Sequence, residues 1–183
     1  MKKFLKWAGI SIASLAVILF IAFKVLQSQT KKHSPEDRVE YVDGDTKVSV
    51  FYNQPSVKGR KIFGGLIPYG EVWRTGANEA TSFTTSTDLT IDGKTLAAGT
   101  YTLWTIPAED TWTVIFNEKE YGWGVGFDGK ASHDAAGDVL QVKVPIVPLS
   151  DTQELFTIAL QENGSPALVL SWEKTKVVVP FRG

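Results

Sequence analysis

Two patterns of apolar residues divide this chain. Residues 7–23 (WAGISIASLAVILFIAF) form an unbroken run of 17 residues with no charge and no proline. Beyond Val39 the pattern changes to short runs in which apolar and polar positions alternate, the period of a half-buried strand. Such runs cover residues 47–52 (KVSVFY), 82–91 (SFTTSTDLTI), 100–106 (TYTLWTI), 111–116 (TWTVIF), 139–147 (VLQVKVPIV), 155–160 (LFTIAL), 167–172 (ALVLSW) and 176–181 (KVVVPF). Asp92-Gly93 and Asn163-Gly164 sit between runs as tight-hairpin signals, and residues 107–110 (PAED) as a further turn. No stretch of ten or more residues after position 40 keeps a helical stripe. The pattern predicts about eight or nine short strands. It therefore predicts an all-β domain, a β-sandwich or jelly-roll-like fold, preceded by one N-terminal transmembrane helix. No fixed-period repeat points to a propeller or solenoid.

The first run allows two readings. A cleaved signal peptide has an apolar region of about 7–15 residues and a small-x-small cleavage site. This run is longer, and the residues after it offer only Ser28-Gln29-Thr30. Its length suits an uncleaved anchor, which needs about 20 apolar residues. Residues 7–26 supply them, with Lys24 snorkelling to the interface and lipid bilayer as the partner. The chain thus divides into an anchor (1–26), a polar tether (27–38, QSQTKKHSPEDR) and an all-β domain (39–183). Lys2, Lys3 and Lys6 before the span balance Lys24, Lys31 and Lys32 after it, so the positive-inside count is a tie.

Charge narrows the partners. Six of the 19 basic residues and none of the 20 acidic ones precede Ser34, which leaves 13 against 20, a net charge of −7, on residues 34–183. An acidic domain argues against nucleic acid and against docking on anionic lipid. The absence of cysteine excludes disulfides and cysteine catalysis. Two histidines, His33 and His133, are too few for a histidine metal cage, and no metal or cofactor is expected.

One segment fits neither pattern. Residues 55–81 (PSVKGRKIFGGLIPYGEVWRTGANEAT) hold five glycines, a basic island of Lys58, Arg60, Lys61 and Arg74, and then Asn78 and Glu79. Loops longer than about 12–15 residues are usually functional or disordered, and this one is too aromatic for disorder. The plain reading is a crossover with Ile62, Phe63, Leu66, Ile67, Tyr69 and Trp73 tucked beneath it, locked by an ion pair of Arg74 with Glu71 or Glu79. The functional reading is a binding site for a glycan or small anion built on Lys58, Arg60, Trp73, Arg74, Asn78 and Glu79. Arginine pairs with an oxyanion at two points, glycine-rich turns can add backbone N–H donors, and Trp73, Trp104 or Trp123 could stack on a sugar.

That segment, with LTIDGKTLAAGTYTLWTIPAEDTWTVIFN after it, resembles the DUF2911 family of bacterial envelope proteins, of Bacteroidetes type. The resemblance runs from about Val48 to Leu160, and the blocks VWRTGANEAT and GTYTLWTIP carry it. The glycine-rich segment YGWGVGFDGKASHDAAG departs from the family pattern. The resemblance implies a bacterial inner-membrane protein, single-pass, with its domain in the periplasm. It implies no reaction, since the family is one of unknown function.

Other chemistry has weaker signals. A glycosidase needs two carboxylates, for which Glu71 and Glu79 stand first and Asp88, Glu109 and Asp128 behind them. There is no G-x-S-x-G elbow, and the consecutive Ser132-His133-Asp134 reads as a solvated loop. GWGVG (122–126) lacks the G-K-[ST] of a phosphate loop and reads as a mobile loop with Trp123 and Phe127 at its tip. A carboxylate-based hydrolase of envelope polysaccharide and a structural or partner-binding module are the alternatives to a ligand-binding domain.

Overall fold

The computed structural model describes residues 2–126 and 128–183, without the side chains of 2–6, 8, 11 and 27. The expected part of Phe127, and the side chains of Lys2, Lys3 and Lys6, therefore lie outside the described residues. The N-terminal segment is one helix, α1 (Lys2–His33). Over Ile12–His33 it is long and apolar enough to cross a membrane. Lys31, Lys32 and His33 in its last turn face the negative end of the helix dipole. Pro35 disfavours helical geometry at Ser34, and the helix stops there. The helix thus takes in much of the polar segment expected as a tether, and only Ser34 and Pro35 separate it from the first strand.

Residues 34–183 form a separate compact unit. Its strands are β1 (Glu36–Asp43), β2 (Thr46–Asn53), β3 (Thr81–Thr85), β4 (Leu89–Ile91), β5 (Lys94–Leu96), β6 (Gly99–Pro107), β7 (Thr111–Asn117), β8 (Asp138–Glu162) and β9 (Ser165–Arg182). They make one antiparallel sheet in the order β1-β2-β3-β6-β7-β8-β9-β4-β5. The domain is all-β, as the alternation predicts. Both two-residue hairpins form. Ile91 pairs with Lys94 and Glu162 with Ser165. Asp92, Gly93, Asn163 and Gly164 take φ values of 48°, 70°, 50° and 80°, the positive values that such turns require.

The last four predicted runs merge into two long bent strands. β8 pairs with β7 through Asp138–Pro145 and with β9 from Ile146 onward. Register shifts between Pro148, Gln153 and Thr157 turn it, as does Glu173, at φ 54°, in β9. The bend brings the far half of the sheet over the near half. Tyr52 on β2 meets Phe156 on β8 edge-on at 5.8 Å, and Tyr41 on β1 meets Phe181 on β9 at 5.7 Å. Between them lies the core, centred on Trp73, Trp112, Trp172, Phe63 and Phe156, with ring separations of 4.7–6.1 Å.

The connection from β2 to β3, residues 54–80, is the odd segment, and part of it is core. Ile62, Phe63 and Trp73 are buried, whereas Leu66 and Tyr69 remain exposed. It is tied in at both ends. Val57 N–H donates to the Glu154 carbonyl and Phe156 N–H to that of Pro55, both at 2.8 Å. Trp73 and Thr105 exchange both backbone hydrogen bonds, at 2.7 and 3.0 Å, beyond the end of β3.

Candidate functional site

The Trp73–Thr105 pair decides where its neighbours point. Side chains alternate across a strand. Trp73 enters the main core and stacks on Trp172 at 5.6 Å, at an interplanar angle of 17°. Val72 packs on the other face of the sheet, against the buried Trp104, Ile115 and Ala80. Arg74 lies on that second face, and the register places it beside Trp104.

The residues after Arg74 hold it rigidly. Thr75 is β-branched with φ 54°, a conformation that costs about 1–3 kcal/mol and persists only where its surroundings impose it. Here Thr75 Oγ1 donates to Thr105 Oγ1 at 3.2 Å, and its carbonyl accepts from Thr81 Oγ1 at 2.6 Å. Trp73 Nε1 donates to the Gly76 carbonyl at 3.0 Å. Asn78, at φ 58°, donates from Nδ2 to Asn53 Oδ1 at 3.1 Å, and Asn53 Nδ2 donates to Glu79 Oε2 at 3.1 Å.

The glycine-rich segment forms a lid over this face. Tyr121 and Ala131 pack against the Trp104 cluster. Val125 pairs with Ala131, and Gly126 N–H donates to the Lys130 carbonyl at 2.8 Å, so residues 124–126 and 130–132 pair as the arms of a short hairpin. It is fastened by Gly124 N–H to the Asn78 carbonyl at 2.9 Å. The Gly124 backbone then lies directly on the aliphatic stem of Arg74, where a Cβ would stand 2.3 Å from Arg74 Cδ.

Among the described residues the Arg74 side chain has no hydrogen-bond or ion-pair partner. Its Nε is buried with no hydrogen-bond partner. Among the described residues no carboxylate pairs with it, so the expected lock with Glu71 or Glu79 is not what holds the loop. Burial pushes its pKa below the ordinary value, and the guanidinium nevertheless stays charged.

The same face of the sheet carries a pair that the sequence reading missed, next to Trp104. His133, expected in a solvated loop, is buried: its side chain is 9% exposed, and its ring lies 5.5 Å from that of Trp104. Its Nε2 is 2.7 Å from Asp138 Oδ1. Asn117 Nδ2 donates to the same oxygen at 2.7 Å, and Gln141 Nε2 to Asp138 Oδ2 at 3.0 Å. A carboxylate held by these donors orients the imidazole, with Nε2 as the donor and Nδ1 left as the acceptor in the neutral ring. Asp134, next in the chain, is exposed and pairs with Lys119 instead.

The six predicted residues therefore do not form one cluster. Arg74, Asn78 and Glu79 belong to one linked region, and Trp73 is its pivot in the core. Lys58 and Arg60 lie at the start of the connection. Lys58 N–H donates to Glu154 Oε1 at 2.9 Å, and Arg60 donates to the Val57 and Ser56 carbonyls at 3.0 and 2.6 Å. Of the candidate acids, Asp88 and Asp128 accept backbone N–H groups of Ala98 and Lys130 at 2.8 and 3.1 Å, and close turns. The only sequence signal for the missed pair is that Asp138 opens β8 five residues after His133.

Neither the curated proteins nor the solved structures give a match to this chain. The model of a family described as proteins of unknown function does match, over residues 34–181, nearly the whole compact unit that carries the Arg74 face. With the WRTGANEAT block inside that match, the chain belongs to the DUF2911 family.

Proposed function

We propose that this protein is a membrane-tethered domain that binds a small anionic ligand, free or carried on a glycan, at Arg74. The observation that carries the reading is a partly buried guanidinium with no carboxylate partner among the described residues. Burying a charge is costly unless it is paired, and this one is pinned by a strained turn on one side and a hairpin on the other. Strain of this kind collects at ligand sites. A bound oxyanion would supply the missing partner at two points. Asn78 and Glu79 act as supports: they hold the turn to which Gly124 is fastened. The apolar helix supports attachment to the bacterial inner membrane, and the cysteine-free, acidic domain suits the periplasmic side.

The test is a thermal melt of the full chain in non-ionic detergent, followed by intrinsic tryptophan fluorescence. Sulfate, phosphate, sugar acids and neutral glycans are compared. A ligand at a hundred times its Kd adds about 2.7 kcal/mol of stability. An anion should raise the melting temperature, and folded Arg74→Ala should lose that rise. If anions and neutral glycans give shifts that Arg74→Ala retains, or none at all, the reading fails. Protease accessibility in sealed vesicles tests the orientation.

A further inference from the structure

We propose that His133 is the second ligand-contacting group of this site, and that the site takes a tetrahedral oxyanion, a sulfate or phosphate group, held between Arg74 and His133 across Trp104. The inference rests on the Arg74 reading above and makes it more specific.

Trp104 links the two residues, one by strand register and the other by ring contact. Arg74 is set beside Trp104 by the pairing of Trp73 with Thr105, and His133 stands 5.5 Å from the Trp104 ring. Both adjoin one end of the hairpin. Gly124 lies on Arg74, and Ser132, the residue before His133, donates its N–H to the Gly124 carbonyl at 3.1 Å. His133 Nε2 is committed to Asp138, while no described group hydrogen-bonds Nδ1. An imidazole oriented by a buried carboxylate, with its other nitrogen open, is poised to exchange a proton with a ligand. A planar carboxylate offers two oxygens, which one guanidinium fork takes up. A tetrahedral oxyanion has further oxygens for a donor on the other side.

The charged and titratable groups around His133 are Asp138 on β8, and Asp134, Lys119 and Tyr121 within the loop. Protonation turns Nδ1 into a donor and adds a positive charge beside Arg74. Affinity for a fixed-charge oxyanion should therefore rise as pH falls and the ring takes up a proton.

The experiment is sulfate titration of the full chain in non-ionic detergent, by calorimetry, between about pH 5.5 and pH 8, over which sulfate does not titrate and histidine does. Wild-type affinity should fall about tenfold across the range, as for the loss of one charged hydrogen bond. His133→Gln should bind with a flat profile, at the weaker level. His33→Gln, a change at the other histidine, should keep the slope. Should His133→Gln fail to fold, Asp138→Asn serves: without the carboxylate that orients the ring, the dependence of sulfate affinity on pH should shallow. An unchanged slope overturns the proposal. So does an Arg74-dependent affinity that is flat with pH, or an Arg74-dependent anion that is not tetrahedral. Those results leave the Arg74 reading standing; only the loss of every Arg74-dependent ligand removes both.

Discussion

Gly124 and Arg74 are in contact so close that no side chain fits between them. A Cβ on Gly124 would lie 2.3 Å from Arg74 Cδ and 2.8 Å from Arg74 Cβ. The second of these atoms cannot swing away, because Trp73 and Thr75 fix the backbone on either side of it. The hairpin lid and the arginine are therefore one mechanical unit.

Gly124→Ala forces the hairpin off the arginine. The expected cost of this overpacking is about 1–3 kcal/mol, measured by urea unfolding. The same variant should lose any Arg74-dependent ligand shift while the main core, on the opposite face of the sheet, stays intact. Unchanged stability together with unchanged binding would show that the contact has no role.

Arg74→Met keeps the length of the stem and removes an unpaired buried charge. Replacing buried charge with apolar bulk is often neutral or stabilising, by about 1–4 kcal/mol. We expect stability to hold or rise while ligand binding disappears, the signature of a site maintained at the expense of the fold. A drop of more than about 2 kcal/mol would instead identify Arg74 as a structural lock.

Trp73 joins the core to the site. It stacks on Trp172, meets Phe156 edge-on at 5.1 Å, and holds the Gly76 carbonyl. Trp73→Ala should cost about 3–5 kcal/mol, a lost large core side chain. Near-ultraviolet circular dichroism should lose the signal of the tryptophan cluster. Retention of both would mean that the aromatic core is not built as described.

Tyr52 gives a pH dependence at the alkaline end. Burial is the main cause that pushes its hydroxyl up to about 12; the N–H of Ile158 opposes the shift, and Asp37 adds to it. The folded-state value lies above the unfolded one of about 10. The stability it contributes is thus full below about pH 10 and is lost as pH rises through about 12. Tyr41 and Tyr101 are also raised, chiefly by burial, so Tyr52→Phe should shallow the slope without removing it. At neutral pH the loss of the bonds to Ile158 and Asp37, 3.0 and 2.9 Å, should cost about 1–3 kcal/mol in urea unfolding.

Much of the fold was legible because period-two alternation and the Asp92-Gly93 and Asn163-Gly164 turns are local properties. Two of the misses were non-local. β1 was partly hidden because Asp37, Val39 and Tyr41 turn inward on an edge strand and only two of them are apolar. The joining of four predicted runs into β8 and β9 depends on bulges whose partners lie on the opposite strand. At the candidate site, Arg74 stood out as a basic residue in a long aromatic loop. Its face did not, because residues 54–80 have no periodicity from which to read one. Glu71 and Glu79 lie close to it in sequence, yet Glu79 turns to Asn53.

By itself the sequence determined an apolar N-terminal helix, an all-β domain of net charge −7 and membership of a family, since composition, periodicity and motif need no partner. Tertiary structure alone decided that Trp73 faces the core and Arg74 faces away from it. One backbone pairing with Thr105 makes that division. It also brought His133 to Trp104 and Asp138, through a hairpin fastened by Gly124 N–H to the Asn78 carbonyl. Alternation is written along a chain, but the face that a loop residue takes is set by the strand it happens to meet.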